Sequence, residues 1–284
     1  MRRNDGYMPA CNAAAERAHG DVIVTLDADA IPAPGFCDAI RAPAANGRGW
    51  AGWMGLVTMD DGRLINTSGG VSHFTGLSWA GQVGEPLGAA SPERREVSFL
   101  SGTCLAVTRE AWQRDPGFVP EYFLYFDDVD WCFRARLAGG RIGVEPSARV
   151  DHLYDFTKRR VKWRLLERNR WATLIRTYPG ELLAVVFPAL LATELALHAI
   201  AARHGWLREK LLADADVIRW LPRLLRERRA IQRRRTISAA EFADHLTAEL
   251  SSPYFGGVGR SRAVGAVLRA YWAAARRLLE RTRR

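Results

Sequence analysis

The sequence predicts an α/β domain over residues 1–155, followed by an α-helical region over residues 156–284. In the first part, short β-branched and apolar runs alternate with helix-compatible stretches, a pattern typical of α/β sheets. Long amphipathic and apolar stretches make up the second part. The charge changes at the same place. Residues 1–154 contain 14 basic and 19 acidic residues, a net charge of −5, whereas residues 155–284 contain 27 and 12, a net charge of +15. We therefore expect the boundary just after His152.

The elements of the first part follow from local composition. Residues 21–26 are β-branched and end in acidic residues, which predicts a buried strand with carboxylates at its C-terminal edge. That edge is where open α/β sheets bind ligands. Residues 66–96 are rich in Gly and Ser and predict a long irregular loop. The remaining predictions are helices at 8–19, 36–42, 109–114 and from 127, and strands at 53–59, on both sides of Ser101–Gly102, and at 141–145.

Composition excludes several classes of protein. The four cysteines form no Cys-x-x-Cys pair, so neither a disulfide framework nor a zinc knuckle is predicted and a reducing compartment fits best. No apolar run follows Arg2 and Arg3, so no secretory signal is predicted and the site is expected to face the cytoplasm. The net charge of +10 does not predict nucleic-acid binding, because the basic residues are dispersed over apolar helices without a recognition motif.

Asp27 and Asp29 follow the predicted strand and are the first candidates for chemistry. Two carboxylates one residue apart at a turn can both reach one Mg²⁺ or Mn²⁺, because hard cations prefer oxygen ligands. A diphosphate would complete the coordination. The alternative is an ordinary surface turn, since Asp-x-Asp is common by chance.

A second acidic group follows the aromatic run 122–126 and comprises Asp127, Asp128 and Asp130. Aromatic surroundings raise the pKa of a carboxylate toward the range useful to a general base. The alternative, favoured at least equally for Asp130, is a set of solvated acids at the N-terminus of a helix. His152 ends the last predicted strand and is either a structural histidine or a ligand.

These residues belong to an ordered set of motifs that resembles family 2 glycosyltransferases of the GT-A fold, and most closely their bacterial rhamnosyltransferase-like members. The resemblance covers about residues 4–155. The motifs are Asn4-x-Gly6 with Asn12, Ala18-x-Gly20-Asp21, Leu26 to Asp29 with Pro34-Gly35, Phe99-x-Ser101-Gly102-Thr103, Phe126 to Trp131, Gly139-Gly140 and His152.

The resemblance implies an inverting transfer from a nucleotide-diphosphate sugar to an acceptor hydroxyl. Asp27 would lie near the donor's ribose and sugar, while Asp29 and His152 would hold a divalent metal, Mg²⁺ or Mn²⁺. Asp128 matches the general base. Asp127 matches the helper position beside the base, where family members commonly have Glu. The remaining donor- or acceptor-binding candidates are Asn12, Gly102 and Thr103, which line the cleft, and Trp131, which either stacks on the acceptor sugar or packs the helix.

The chain departs from the family at its start, where a strand, a helix and a strand that bind the nucleotide base are missing. We therefore expect an uncovered sheet edge or face and weak or absent donor binding. Two alternatives follow. One is a membrane-attached remnant that acts as a binding module. The other is a haloacid-dehalogenase-type phosphatase, which needs a lysine between its two acidic sites, whereas the first lysine here is Lys158.

The second region is predicted to associate with a membrane. Residues 182–202 are apolar over about the length of a bilayer. Because they contain Pro188, Glu194 and His198, we expect this helix to lie on the membrane or dip into it. The basic clusters at 158–164 and 226–235 suit anionic lipid headgroups. The protein is thus expected to be peripheral on the inner face of the cell membrane, with a glycan or lipid-linked acceptor.

Overall fold

A computed structural model describes residues 6–45, 49–115, 117–153 and 161–281. They form two compact units, residues 6–71 with 78–153, and residues 72–77 with 161–281. The predicted boundary near residue 155 and residues 158–160 of the first basic cluster lie outside the described residues.

The first unit is built on a seven-stranded mixed sheet within the described residues. The strands of the unit are β1 (Val22–Leu26), β2 (Ala30–Pro32), β3 (Trp50–Met59), β4 (Leu64–Thr67), β5 (Gly70–Ser72), β6 (Ser78–Ala80), β7 (Arg95–Glu96), β8 (Cys104–Thr108) and β9 (Arg141–His152). Five strands of the seven-stranded sheet follow the order β1-β8-β3-β9-β2, while β4 pairs with β3 and β7 with β9. Strands β3 and β9 are parallel, and the other pairs of this sheet are antiparallel.

The centre and the edge of this sheet differ in burial. Strand β3 is central and almost wholly buried, as its apolar sequence requires for a strand covered on both faces. Among the described residues, strand β1 is an edge strand that pairs only with β8, and its Val24 and Leu26 are 39% and 38% exposed. The prediction of a buried strand was therefore wrong for one face of β1.

In the described part of the first unit, the α-helices are α1 (Tyr7–Arg17), α2 (Phe36–Ala45), α3 (Arg109–Arg114) and α4 (Asp127–Leu137). Helix α3 begins where the Thr108 hydroxyl accepts a hydrogen bond from the Ala111 N–H. Helix α4 ends before Gly139, whose φ of +82° is easily adopted by glycine. The predicted loop at 66–96 is more ordered than expected, because it contains the β5–β6 pair and β7.

The second unit is helical. Its elements are α5 (Val161–Thr177), α6 (Gly180–Arg203), α7 (Leu207–Arg233), α8 (Ala239–Ala243), α9 (Gly256–Arg260) and α10 (Arg262–Arg281). Ser238 and Glu241 form a capping box at the start of α8. Within the described residues, α6 alone is long and apolar enough to cross a membrane by length and composition, and 11% of its most apolar window is buried.

Glu194 of α6 joins a network of buried and half-buried charges within the helical unit. Arg170 of α5 binds Glu194 and lies 2.9 Å from the Glu167 carboxylate. Lys210 of α7 is fully buried and lies 3.0, 2.6 and 2.9 Å from the carboxylates of Glu167, Glu194 and Asp214. Glu194 thus has two cationic partners, which offset the cost of its place on an apolar helix.

Candidate functional site

Asp27, Asp29 and His152 meet at one end of the sheet. Asp27 directly follows β1, and Asp29 precedes β2, whose Ala30 pairs with His152 at the end of β9. The Leu153 N–H donates to the Asp29 carbonyl oxygen at 3.0 Å, which holds the two segments together. His152 Nε2 lies 3.3 Å from Asp29 Oδ1 and 3.9 Å from Asp27 Oδ2.

These three side chains fit a divalent cation. One ligand atom from each lies within 4.8 Å of the others. Ligand atoms that share an octahedral Mg²⁺ or Mn²⁺ are about 3 Å apart, so small side-chain movements would close the group on an ion. The two carboxylates supply the oxygen ligands that Mg²⁺ and Mn²⁺ prefer, and the imidazole adds a nitrogen ligand. Asp29 is 54% exposed at its side chain and His152 7%, so the group is open to solvent on one side for a further ligand.

Asp127 and Asp128 begin α4 directly after a strained segment. Phe123, Tyr125 and Phe126 have φ values of +66°, +70° and +65°. Non-glycine residues adopt this region at a cost of about 1 to 2 kcal/mol each, and such strain concentrates at functional sites. The segment presents Asp127, which is buried, and Asp128, which is half-buried, at the first turn of the helix.

Both carboxyl groups favour their protonated forms more than ordinary aspartates do. Burial, followed by repulsion from Asp128, raises the pKa of Asp127 well above its usual range. Burial raises the pKa of Asp128 from 3.8 to about 6, although hydrogen bonds from the N–H groups of Gly102 and Val129 act against it. Asp27 raises both pKa values further through its negative charge. The group of Asp27, Asp29 and His152 therefore interacts electrostatically with the Asp127–Asp128 pair.

The segment 101–103 connects the two acidic groups. The Gly102 N–H donates to Asp128 Oδ2 at 3.2 Å, and the Asp27 N–H donates to the Thr103 carbonyl oxygen at 3.1 Å. A Cβ atom on Gly102 would lie 3.6 Å from Asp127 Oδ2, so this glycine borders the carboxylates. Thr103 is buried.

Two hydroxyl groups that the sequence did not single out fix this segment. The Tyr7 and Thr25 hydroxyls each donate to the Gly102 carbonyl oxygen at 3.3 Å. Burial, with repulsion from Asp27, raises the pKa of Tyr7 far above its usual value, so its hydroxyl keeps its proton. We find no local sequence signal for this contact, because Tyr7 and Gly102 are 95 residues apart.

Two predicted residues, Trp131 and Asn12, contact other parts of the fold. Trp131 is fully buried and its indole N–H donates to the Asp115 carbonyl oxygen, so it packs the helix and cannot stack on an acceptor sugar. The Asn12 amide exchanges hydrogen bonds with both main-chain groups of Phe118, at 2.9 and 2.8 Å, and its assignment as a ligand contact stays a prediction.

Asp130 is not one of the solvated acids that the sequence suggested. It is fully buried and accepts from the Arg134 guanidinium at 2.8 Å. Asn4, the first residue of the motif set, lies outside the described residues.

Known proteins match this chain in sequence and in fold. The rhamnosyltransferases that match are N-acetylglucosaminyl-diphospho-decaprenol L-rhamnosyltransferases of Mycobacterium tuberculosis, strains CDC 1551 / Oshkosh and ATCC 25618 / H37Rv. Each is 32% identical over 149 residues, or 46% of this chain and 47% of the relative. The chain thus spans about half the length of these curated relatives.

Among solved structures, the crystal structure of GalNAc-T7 with UDP, GalNAc and Mn²⁺ is similar, with a TM-score of 0.50 and 17% identity. The match covers 65% of this chain and 38% of that chain and concerns the fold. The predicted GT-A-like α/β fold with a helical C-terminal region is confirmed. The family described as "Glycosyltransferase like family 2" matches residues 3–173, more than half of the 284 residues. The chain belongs to this family of glycosyltransferases.

Proposed function

We propose that this protein transfers a sugar, with inversion, from a nucleotide-diphosphate donor to an acceptor hydroxyl at a site that holds Mg²⁺ or Mn²⁺. The observation that carries the proposal is the joining of two acidic groups by one short segment. The Asp27 N–H donates a hydrogen bond to the Thr103 carbonyl oxygen, and the Gly102 N–H donates one to the Asp128 carboxylate. A metal-binding group and a base are thereby kept beside each other.

Asp27, Asp29 and His152 would hold the metal, whose charge stabilises the leaving diphosphate when it is bound. Asp27 lies in this ligand group, so its proposed role extends from the donor sugar to the metal itself. Its position beside Asp127 and Asp128 supports a donor bound between the two groups.

Asp128 would act as the general base. Its carboxylate takes the proton of the acceptor hydroxyl while that oxygen forms a bond to the anomeric carbon, and the bond from this carbon to the diphosphate oxygen breaks. A pKa of about 6 suits this role near neutral pH, because the group is then ionised yet still basic enough to accept a proton. Asp127 is more buried than Asp128, and its raised pKa would keep its carboxyl group protonated.

The acceptor is proposed to be a glycan or lipid-linked glycan in cell-envelope synthesis. The matched relatives act, by their name, on a diphospho-decaprenol lipid. The helical unit supports a location at the cytoplasmic face of the membrane, because its exposed apolar side chains include Phe187, Leu195 and Ile218 and its sequence is strongly basic.

The test is the release of nucleoside diphosphate from nucleotide-sugars, with and without acceptor glycolipid. We expect turnover that requires Mn²⁺ or Mg²⁺ and falls at least about 100-fold in Asp29→Ala. Asp38→Ala is the matched control, because Asp38 is an exposed acid on α2. Turnover that persists without a divalent metal, or that Asp29→Ala leaves unchanged, would refute the proposed chemistry.

A further inference from the structure

A basic cavity lies where α6 begins and α7 ends. It has a volume of about 310 Å³ and is lined by Gly180, Glu181, Arg228, Arg229, Gln232 and Arg235. Three arginines against one glutamate give the lining a net charge of +2. The first turn of the 24-residue helix α6 adds the positive end of its dipole. The cavity therefore favours an anion.

The three arginines are positioned differently. Arg228 donates to the Ile175 and Tyr178 carbonyl oxygens at 2.8 and 2.6 Å, which anchors it at the C-terminal end of α5. Arg235 forms a two-pronged pair with Glu181 at 3.1 and 3.0 Å. Arg229 is exposed. Arg228 and Arg235 thus give the cavity a fixed frame, and Arg229 supplies a cation at its mouth.

Apolar stripes lead away from the cavity along both helices. On α6, Phe187, Leu191 and Leu195 are 62%, 53% and 66% exposed and follow each other at four-residue spacing. Exposed Ala184 connects this stripe to Glu181 in the cavity. Positions three and four residues apart share one helix face, so the stripe is continuous.

The α7 stripe has the same relation to the cavity. Leu211, Ile218 and Leu225 are 54%, 71% and 42% exposed at seven-residue spacing, and Arg229 follows Leu225 by four residues on the same face. A soluble anion would need only the arginines. A cavity of positive charge that continues into two exposed apolar stripes matches a molecule with an anionic head and hydrocarbon chains.

We propose that this cavity binds the phosphate group of an anionic phospholipid at a membrane surface, with the α6 and α7 stripes against the acyl chains. The proposal deepens the membrane attachment proposed above, and it assigns that attachment to a defined phosphate site. The partner is a bilayer lipid, because the apolar stripes are oriented along the same helix faces as the cavity lining.

The test measures partition of the full chain onto vesicles of phosphatidylcholine with phosphatidylglycerol. We expect Arg229→Gln to weaken partition about fivefold, because Arg229 lines the cavity and would contact the lipid phosphate directly. Arg208→Gln is the matched control: Arg208 is also exposed on α7, about 31 Å away along the helix, and its loss should change partition less than twofold. Ile218→Glu should weaken partition at high salt as well, because it acts on the apolar stripe.

Equal losses in Arg229→Gln and Arg208→Gln would overturn the phosphate site while leaving general membrane attachment intact. Failure of the unmodified chain to bind any phosphatidylglycerol vesicle would overturn both. Competition by millimolar inorganic phosphate with no dependence on Ile218 would assign the cavity to a free anion and contradict the proposal. Metal-dependent turnover in Arg229→Gln with a soluble acceptor is measured in parallel, and its retention separates this site from the transfer reaction.

Discussion

Each unit contains a cluster of buried or half-buried charges. The cluster of the first unit brings like charges together, whereas that of the second unit pairs opposite charges. In the first unit, burial raises the pKa values of Asp127 and Asp128, and repulsion from the negative charge of Asp27 raises them further. In the second unit, burial opposes the charged form of Glu167, but Arg170 and Lys210 more than offset it and lower its pKa. The pKa of Glu194 is lowered in the same way.

The difference separates a cluster of paired opposite charges from a cluster of like charges. In the helical unit, each of the carboxylates of Glu167, Glu194 and Asp214 has a cationic partner within the protein. The acids of the first unit repel each other and are held in place by strained backbone and by the segment 101–103. Such an arrangement costs stability and is relieved by a proton or a bound cation. Perturbed carboxylates of this kind are therefore candidates for catalysis and metal binding.

The largest effect is expected on removing a cation from the network. Lys210→Met removes a cationic partner from the carboxylates of Glu167, Glu194 and Asp214. Among these groups, Arg170 is then the remaining buried cation. We expect the free energy of unfolding to fall by about 3 to 5 kcal/mol, measured by urea denaturation.

The matched control for this prediction is Arg219→Met. Its side chain is 72% exposed although it lies 3.2 Å from the Asp216 carboxylate, so its loss should change stability by less than about 1 kcal/mol. Similar small changes in both variants would show that the network is not a structural core.

The acidic cluster should respond in the opposite direction. A pKa raised from 3.8 to about 6 costs the folded protein about 3 kcal/mol once Asp128 is ionised. Stability from this group is full below pH 3.8 and is lost as the pH rises through about 6. Asp128→Asn should therefore raise the free energy of unfolding at pH 8 by up to about 3 kcal/mol, less one lost hydrogen bond, while abolishing transfer.

Denaturation curves in EDTA at pH 8 and pH 4 test this, because the gain should shrink at the lower pH. Asp38→Asn, an exposed acid, should show no such dependence. A destabilised Asp128→Asn at pH 8 would mean that the carboxylate is satisfied in the fold and would break the contrast between the two clusters.

A smaller effect is expected from Tyr7→Phe. The change removes one of the two hydroxyl donors to the Gly102 carbonyl oxygen, next to the N–H that holds Asp128. A hydrogen bond contributes about 1 kcal/mol, so kcat should fall about fivefold with little change in the KM for the donor. Tyr271→Phe removes a comparable bond to Val185 in the helical unit and should leave kcat unchanged. Equal effects would indicate general destabilisation.

Much of the first unit was predictable because its signals are local. The apolar run of β3, the acid-terminated β1 and the helix from Asp127 each follow from periodicity and composition over about ten residues. The edge position of β1 was harder to predict. Burial of one face depends on which strands pair, and local composition does not reveal strand order.

The site was predicted from motifs, and its failures have a physical cause. Asp27, Asp29 and His152 meet as expected from the resemblance. The Asn12 amide, however, bonds to the Phe118 main chain, and the Trp131 indole N–H bonds to the Asp115 carbonyl oxygen. A motif does not say whether a polar group faces the cleft or the core. Nor could the sequence show that Glu194 has partners, because Arg170 and Lys210 lie 24 and 16 residues away.

Mn²⁺ titration followed by calorimetry tests the central claim, that the acids of the first unit are held together for a cation. We predict one Mn²⁺ site in the unmodified chain, at least about tenfold weaker in Asp29→Asn and unchanged in Asp38→Asn. Mn²⁺ binding that Asp29→Asn leaves intact, or no Mn²⁺ binding by the unmodified chain at millimolar concentration, would contradict the account.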